Sequence, residues 1–372
     1  MSRAGSDESG AEGVTGATPF APEQVIVERL TSQGLSGPPS GTPEEIVTRL
    51  LAVQAQDPRG VRLSIRSRSV GLTAGDVDDA LDRGSVVITW VNRGTLHMVT
   101  PQDYWWLHQL TTPQLAVGNA RRLRQEGVNA FQADLGVDVV ARAVTCDGPQ
   151  TRAQLRRRLA EAGVPTGGQA FVHVLVAASL RGHVVRGPVV GGEAAYVSVR
   201  NWLGEAPPPV PLEVALSRLA RRYLAGHGPA DARDLAKWAG IPFGRARGGL
   251  DGIADELVGC GGGLVHLAGR DRPEPPPPPR LLGAFDPVLL GWVSRRPFVG
   301  RHQGVVTTNG LFRPFALVDG RVVATWGLAH GELQIRCLEP IAPRSREALQ
   351  EDGGEVLRFL GLPSEAARVI FD

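Results

Sequence analysis

The chain has 372 residues, 42% of them hydrophobic and 21% charged, which are the proportions of a globular protein with room for two or three domains. No apolar run approaches the roughly 18 residues of a membrane span, no basic and apolar leader opens the sequence, and three scattered cysteines (Cys146, Cys260, Cys337) form neither a disulfide framework nor a zinc pattern, so a reducing cytoplasm is the expected setting. The formal charge is only +2, yet Lys237 is the sole lysine among 40 basic residues, an arginine bias that a GC-rich genome explains and that also suits phosphate recognition.

Residues 1–21 are rich in Gly, Ala, Ser and acids without periodicity and read as a disordered tail. The segment TPEEIVTRLLAVQAQ then opens a helix: Thr42 and Glu45 make a capping box, with Pro43 at the first helical position. Ile46, Val47, Leu50 and Leu51 form its apolar stripe, and helical spacing carries the stripe on to Gln54. Residues two apart do not share a helical face, so Gln54 and Gln56 would point apart. Pro58 biases Asp57 away from helical geometry, and the helix is expected to end near Gln56, where the chain can turn that amide toward the same space. Alternatively, Gln54 is a satisfied buried amide and Gln56 an ordinary helix-terminal residue.

After this come GVRLSIRSRSVG, TAGDVDDALDRG and the hairpin VVITWVNRGTLHMV, in the order of a winged helix-turn-helix. Alternation on the second hairpin strand puts Arg93, Thr95 and His97 on one face, able to line a cleft, while His97 also reads as a hydrogen-bonded structural histidine. Tyr104, Trp105 and Trp106 are either base-stacking or core aromatics, the latter being commoner.

The order recurs twice. GPQTRAQL (148–155) and GPADARDL (228–235) share Gly-Pro, an N-cap candidate (Thr151, Asp231), an arginine and a leucine. Each is preceded by a helical run, followed by another helix, and closed by a Gly-rich hairpin. The expected architecture is therefore mainly α with β: three tandem winged helix-turn-helix units over 22–136, 137–205 and 206–274. Arg152, Arg156 and Arg233, at or near helix starts where free N–H groups welcome anions, are candidate phosphate contacts; other arginines among 121–124, 157–158 and 218–222 include solvated faces.

A Pro-rich linker (275–280) leads to residues 281–372, where the pattern switches to period two. Asn309-Gly310 and Asp319-Gly320 predict hairpins in an antiparallel meander, followed by a helix near 345–360. Asn309 and Arg313 would sit at a hairpin tip able to enter a DNA groove, or form a plain turn. Asp57 and Asp286 are read as turn-capping acids, and no spacing suggests a metal site, a phosphate-binding P-loop or a dinucleotide fingerprint.

The QAQ sequence at 54–56, the WVNRGTLHMV hairpin at 90–99, GPADARDLAKWAG at 228–240 and FDPVLLGW at 285–292 occur in that order ahead of GLFRPF. Together they resemble the YcaQ/AlkZ family of winged-helix DNA glycosylases over nearly the whole chain after the tail. The resemblance implies a C-shaped scaffold on double-stranded DNA, excision of N7-alkylated purines to leave an abasic site, a monomer without cofactor, and a cytoplasmic, nucleoid-associated role in base excision repair and antibiotic self-resistance. It makes Gln54 and Gln56 the catalytic pair of the AlkZ-like branch, which carries glutamine, an aliphatic residue and glutamine and acts on bulky adducts or interstrand crosslinks; the YcaQ-like branch has Asp in the second place. Arg93, Thr95 and His97 become catalytic support or cleft. The rival readings are a winged-helix transcription regulator and a non-catalytic protein that sequesters damaged DNA or the genotoxin.

Overall fold

A computed structural model describes residues 19–269, 275–307, 309–329, 332–362 and 369–371. Most of the expected tail lies outside these residues; the first helix, α1 (Pro22–Ser32), begins at its edge. The first unit comprises α2 (Pro43–Leu50), β1 (Val53–Gln54), α3 (Pro58–Arg66), α4 (Ala74–Asp82) and the wing β2 (Val87–Val91) and β3 (Thr95–Val99). After the linking helices α5 (Pro101–Thr111) and α6 (Pro113–Gln125), the second unit contains α7 (Ala130–Cys146), α8 (Arg152–Glu161), α9 (Ala170–Leu180), β4 (Val184–Val190) and β5 (Glu193–Ser198). A short α10 (Val199–Leu203) leads to the third: α11 (Leu212–His227), α12 (Ala232–Ala239), α13 (Phe243–Asp251), β6 (Leu257–Gly259) and β7 (Val265–Leu267).

The helix starts follow from their capping residues. Thr42, Thr151 and Asp231 accept the N–H of Glu45, Gln154 and Asp234, and each partner side chain returns a bond to the cap, satisfying N–H groups that no helical turn reaches. Asn129 and Gln132 do the same for α7, so that helix begins earlier than its apolar run and crosses the expected boundary at residue 136.

The wings of the first two units merge. A single five-stranded sheet runs β1-β3-β2-β4-β5, joined across the units where Ile88 pairs with Arg186. Tyr104 and Trp106 of α5 are core residues, 1% and 3% exposed, and Trp105 packs partly buried against them. The second unit keeps its own core around Val137, Leu155, Phe171 and Tyr196, whereas the first and third share theirs with the C-terminal region.

That region is the expected antiparallel sheet, with one parallel edge: β8 (Arg280–Leu282), β9 (Phe315–Val318), β10 (Arg321–Ala329), β11 (Glu332–Cys337) and β12 (Val369–Phe371), with α14 (Arg296–Val299) and α15 (Pro343–Phe359) beside it. Arg280, expected as the last linker residue, already begins β8. Asp319 and Gly320, both at positive φ, turn β9 into β10 as predicted. Asn309-Gly310 does not join two sheet strands: Gln303–Val305 is a 3-10 turn, and one bridge, Val306 to Phe312, closes a short loop.

Two buried ion pairs lock this region to the end of α3 and the turn after it. Arg68 makes paired hydrogen bonds of 2.9 Å to both oxygens of Asp286, with the two side chains 1% and 0% exposed, and Arg66 reaches Asp352 Oδ2 at 2.9 Å. Gly60 permits the approach, because a methyl group there would run into the Ala284 carbonyl oxygen. The position of Asp57-Pro58, and with it the end of β1, is thereby fixed from two sides.

Candidate active site

The glutamines are not on a helix. Helix α2 stops at Leu50 because Leu51 takes φ 65°, an unfavourable value for a branched side chain that the sequence does not announce. The chain then enters β1, where Val53 pairs with Met98 and Gln54 with His97, and the Ala55 N–H donates to the Leu96 carbonyl at 2.7 Å. This corrects the helical expectation and gives the spacing a simpler cause. On an extended chain residues two apart share a face, so Gln54 and Gln56 point the same way while Val53 and Ala55 enter the apolar core.

Gln54 Nε2 donates to Gln56 Oε1 at 2.8 Å, and Arg93 Nη2 donates to Gln54 Oε1 at 3.1 Å. Arg93 lies in the wing turn and its Nη1 donates to the Trp238 carbonyl at 2.6 Å, bridging β1 to α12 of the third unit. A guanidinium has no acceptor, so Gln54 must turn its oxygen toward Arg93 and its amide toward Gln56. The Gln56 oxygen keeps a second lone pair and its NH2 both protons at the exposed end of this chain. Gln54 itself is 6% exposed.

Beneath the amides, Gln54, His97 and Thr89 stand side by side on β1, β3 and β2. His97 is 1% exposed, and its Nδ1 lies 2.9 Å from the Thr95 carbonyl, which places the proton on Nδ1. Burial, helped by the Arg93 charge, lowers its pKa to about 3, so the ring that stands opposite Gln54 in the sheet is neutral. Thr95 is half-buried at the start of β3, and its Oγ1 has no hydrogen-bond partner among the described residues. Arg93 thus stands in the turn and bonds Gln54, His97 pairs with Gln54 across the sheet, and Thr95 pairs with Val91 at the start of β3. Burial, and then the charge of Arg295, bring the Arg93 pKa down to about 10.

Asp57 Oδ1 caps α3 through the Gly60 N–H at 2.7 Å, and Asp286 caps a 3-10 turn through the Val288 N–H at 3.0 Å, which accounts for both acids as turn residues. An open pocket of about 710 Å³ begins at Asp57, the residue after Gln56, and runs between Asp57, Pro58 and Arg59 on one side and Leu311, Phe312 and Arg313 on the other. The Asn309-Gly310 tip is exposed at its rim, as is Arg313. A more enclosed apolar hollow of about 330 Å³ lies between α6, α7 and α9, away from this chemistry.

The arginines flagged at helix starts are not gathered here. The Arg152 N–H donates to Glu193 Oε1 at 3.2 Å, so a carboxylate already occupies that helix start, and the Arg152 guanidinium lies over Phe171. Arg156 also covers Phe171 and donates to the Thr166 carbonyl at 3.0 Å, while Arg233 is exposed at the start of α12. Arg158, Arg221 and Arg222 are held by Asp147, Glu256 and Asp103. Sequence reasoning passed over Arg295, which donates to the Leu289 carbonyl at 2.8 Å and lies over Phe312; its signal was its place just after FDPVLLGW. Among the described residues no group of His, Cys, Asp and Glu could hold a metal ion, and no helix is long and apolar enough to cross a membrane.

A family model described as DNA glycosylase AlkZ-like matches residues 47–359. The chain is 25% identical over 369 residues to an interstrand DNA cross-link repair glycosylase of Streptomyces sahachiroi, covering 93% of this chain and 98% of that protein. Its fold is similar to the solved structure of the Streptomyces sahachiroi DNA glycosylase AlkZ, with a TM-score of 0.77 and 23% identity over 95% of this chain and all of that one.

Proposed function

Since this chain belongs to the AlkZ-like family of DNA glycosylases, we propose that it hydrolyses the N-glycosidic bond of N7-alkylated purines, bulky adducts and interstrand crosslinks among them, through Gln54 and Gln56. The observation that carries the reading is the amide chain Arg93–Gln54–Gln56, which ends in an exposed glutamine one residue before Asp57, the first residue lining an open pocket. Alkylation at N7 makes the purine cationic and already a good leaving group. The enzyme needs only to hold a water and steady an oxocarbenium-like sugar. The second lone pair of Gln56 Oε1 accepts a hydrogen bond from a water, which aims a water lone pair at C1′ as the purine departs, and the surplus proton passes to solvent once the new C–O bond has formed. Neutral His97 and capped Asp57 leave this reading without a general acid, so uncharged lesions should be poor substrates.

The same reading makes the enzyme monofunctional. A lyase requires an amine on C1′, and the only lysine, Lys237, donates to the Val293 carbonyl at 3.3 Å from the surface of α12. The DNA partner would be double-stranded, gripped by Arg233 and the Asn309–Arg313 loop and bound by one copy of the chain, in the cytoplasm.

The test is excision from duplexes carrying one N7-methylguanine, one N7-linked interstrand crosslink or one uncharged adduct, read by alkaline cleavage, with borohydride trapping in parallel. Release from the first two, little from the third and no trapped adduct is the expected result. Tight binding without release from any substrate would favour a regulator or a sequestering protein instead.

A further inference from the structure

Three cations from three parts of the fold lie within electrostatic reach of one another around Arg93, the residue that holds Gln54, and among the described residues none of them forms an ion pair with a carboxylate. Arg93 comes from the wing of the first unit, Lys237 from α12 of the third, and Arg295 from the C-terminal region. Backbone carbonyls tie them together: Arg93 binds the carbonyl of Trp238, the residue after Lys237, and Lys237 binds that of Val293, two residues before Arg295. The nearby acid Asp234 is turned to Arg29, at 3.4 Å, and to the Val293 N–H, at 2.8 Å. The approach of the wing to α12 is built in, because a side chain at Gly240 would put its Cβ 2.7 Å from the Asn92 carbonyl oxygen. The cations are also close enough to lower one another's affinity for a proton: Arg295 acts on Arg93, and both act on Lys237.

Such a cluster is poorly suited to the proposed chemistry in isolation. An N7-alkylated purine is a cation, and its departure leaves positive charge on the sugar. At roughly 8 Å and an effective dielectric of about 20, one unit charge changes another's equilibrium by roughly thirtyfold. Asp234 offsets Lys237 in part but is already bonded to Arg29 and the Val293 N–H, so the surplus positive charge would hold the reaction back unless a further anion lies among the three cations.

We propose that Arg93, Lys237 and Arg295 form a binding site for a backbone phosphodiester flanking the lesion, and that this phosphate completes the electrostatics of excision as well as contributing affinity. The site rests on the glycosylase reading and deepens it: the substrate supplies the negative charge that the protein withholds. Arg93 then links two tasks, since the guanidinium facing the phosphate also fixes the polarity of the Gln54 amide.

The test is a set of duplexes with one N7-methylguanine in which each of the three phosphates on either side is replaced, one at a time, by a neutral methylphosphonate. Excision is measured at saturating enzyme for the wild type, Lys237→Met and Arg295→Gln; Lys237 is exposed, so its variant is expected to fold. At one or two positions next to the lesion the phosphonate should slow the wild type at least tenfold, and the Lys237→Met enzyme less than threefold. Equal slowing of all three enzymes at every position would overturn the site, and so would a phosphonate effect confined to the concentration needed for saturation. No release from the parent duplex by wild type would instead overturn the glycosylase reading on which the site depends.

Discussion

Truncating the two glutamines separately should split stability from activity, because the two side chains sit differently. Gln54 is 6% exposed and bonded at both ends, to Arg93 at 3.1 Å and to Gln56 at 2.8 Å. Gln54→Ala strips Arg93 Nη2 of its acceptor in a half-buried place and removes a buried amide, a loss of about 1–3 kcal/mol. With an unfolding entropy of about 2.1 cal/mol/K per residue, that lowers Tm by roughly 1–4 °C for a chain of this size. Gln56 is exposed and its one side-chain hydrogen bond among the described residues is the one from Gln54, so Gln56→Ala should stay within about 0.5 kcal/mol, a shift below about 1 °C.

Excision should not follow this order. If Gln56 carries the water and Gln54 sets its orientation, each truncation misplaces the nucleophile, and losses on the order of 10²-fold are expected for both. The assays are scanning fluorimetry, single-turnover release of N7-methylguanine from a duplex, and anisotropy to verify that DNA affinity is kept. Wild-type excision by Gln56→Ala would refute the mechanism. An unchanged Tm in Gln54→Ala would refute the buried hydrogen-bond chain itself.

Between about pH 5 and 9 the excision rate should be flat, because His97 titrates near 3 and Arg93 near 10; a bell-shaped profile centred near 7 would point to a histidine acid or base. Stability should show the opposite sensitivity: buried His97 and His227, both at about 3, stay neutral while the unfolded chain protonates, so stability falls as pH drops below about 6.5, by about 1.4 kcal/mol per histidine per unit, visible as a falling urea midpoint. Asp286→Ala leaves the Arg68 charge buried without its counter-ion and should cost about 3–5 kcal/mol in chemical denaturation, whereas an exposed pair such as Arg200–Glu205 should cost under about 1 kcal/mol. Arg313→Ala should weaken DNA binding uniformly across sequences and reduce the salt slope of the affinity by about 1; an unchanged slope would take the Asn309–Arg313 loop off the DNA.

What the sequence disclosed was local. Capping boxes at Thr42, Thr151 and Asp231 mark helix starts because the groups involved lie three residues apart, and Asp319-Gly320 marks a hairpin because two consecutive positive φ angles need such residues. What it withheld was nonlocal or strained. Nothing near Ile88 shows that it will pair with Arg186 of the next unit, and nothing near Arg93 points to the Trp238 carbonyl. Leu51 is a good helix former forced to end one, so the helix expected to run to about Gln56 stops at Leu50, and Pro58 had to be invoked to bring two amides together that a strand aligns without help.

The QAQ spacing nevertheless held its own answer. Polar, small apolar, polar is the pattern of a short strand with one face in the core, and Ala55, 3% exposed in the same apolar cluster as Val53 and Met98, has the size that such a position admits. A larger middle residue would press on the core beneath the amides, and a shift of one residue would send both glutamines into it. The aliphatic position is thus part of the amide geometry: it is the anchor that lets a mobile polar side chain such as Gln56 begin from a fixed backbone. The wing pairing of His97 with Gln54 fixes the other side of that backbone. Strand register sets where the amides stand, and the donor-only Arg93 sets which way they point, so the two constraints together give an exposed glutamine a defined orientation.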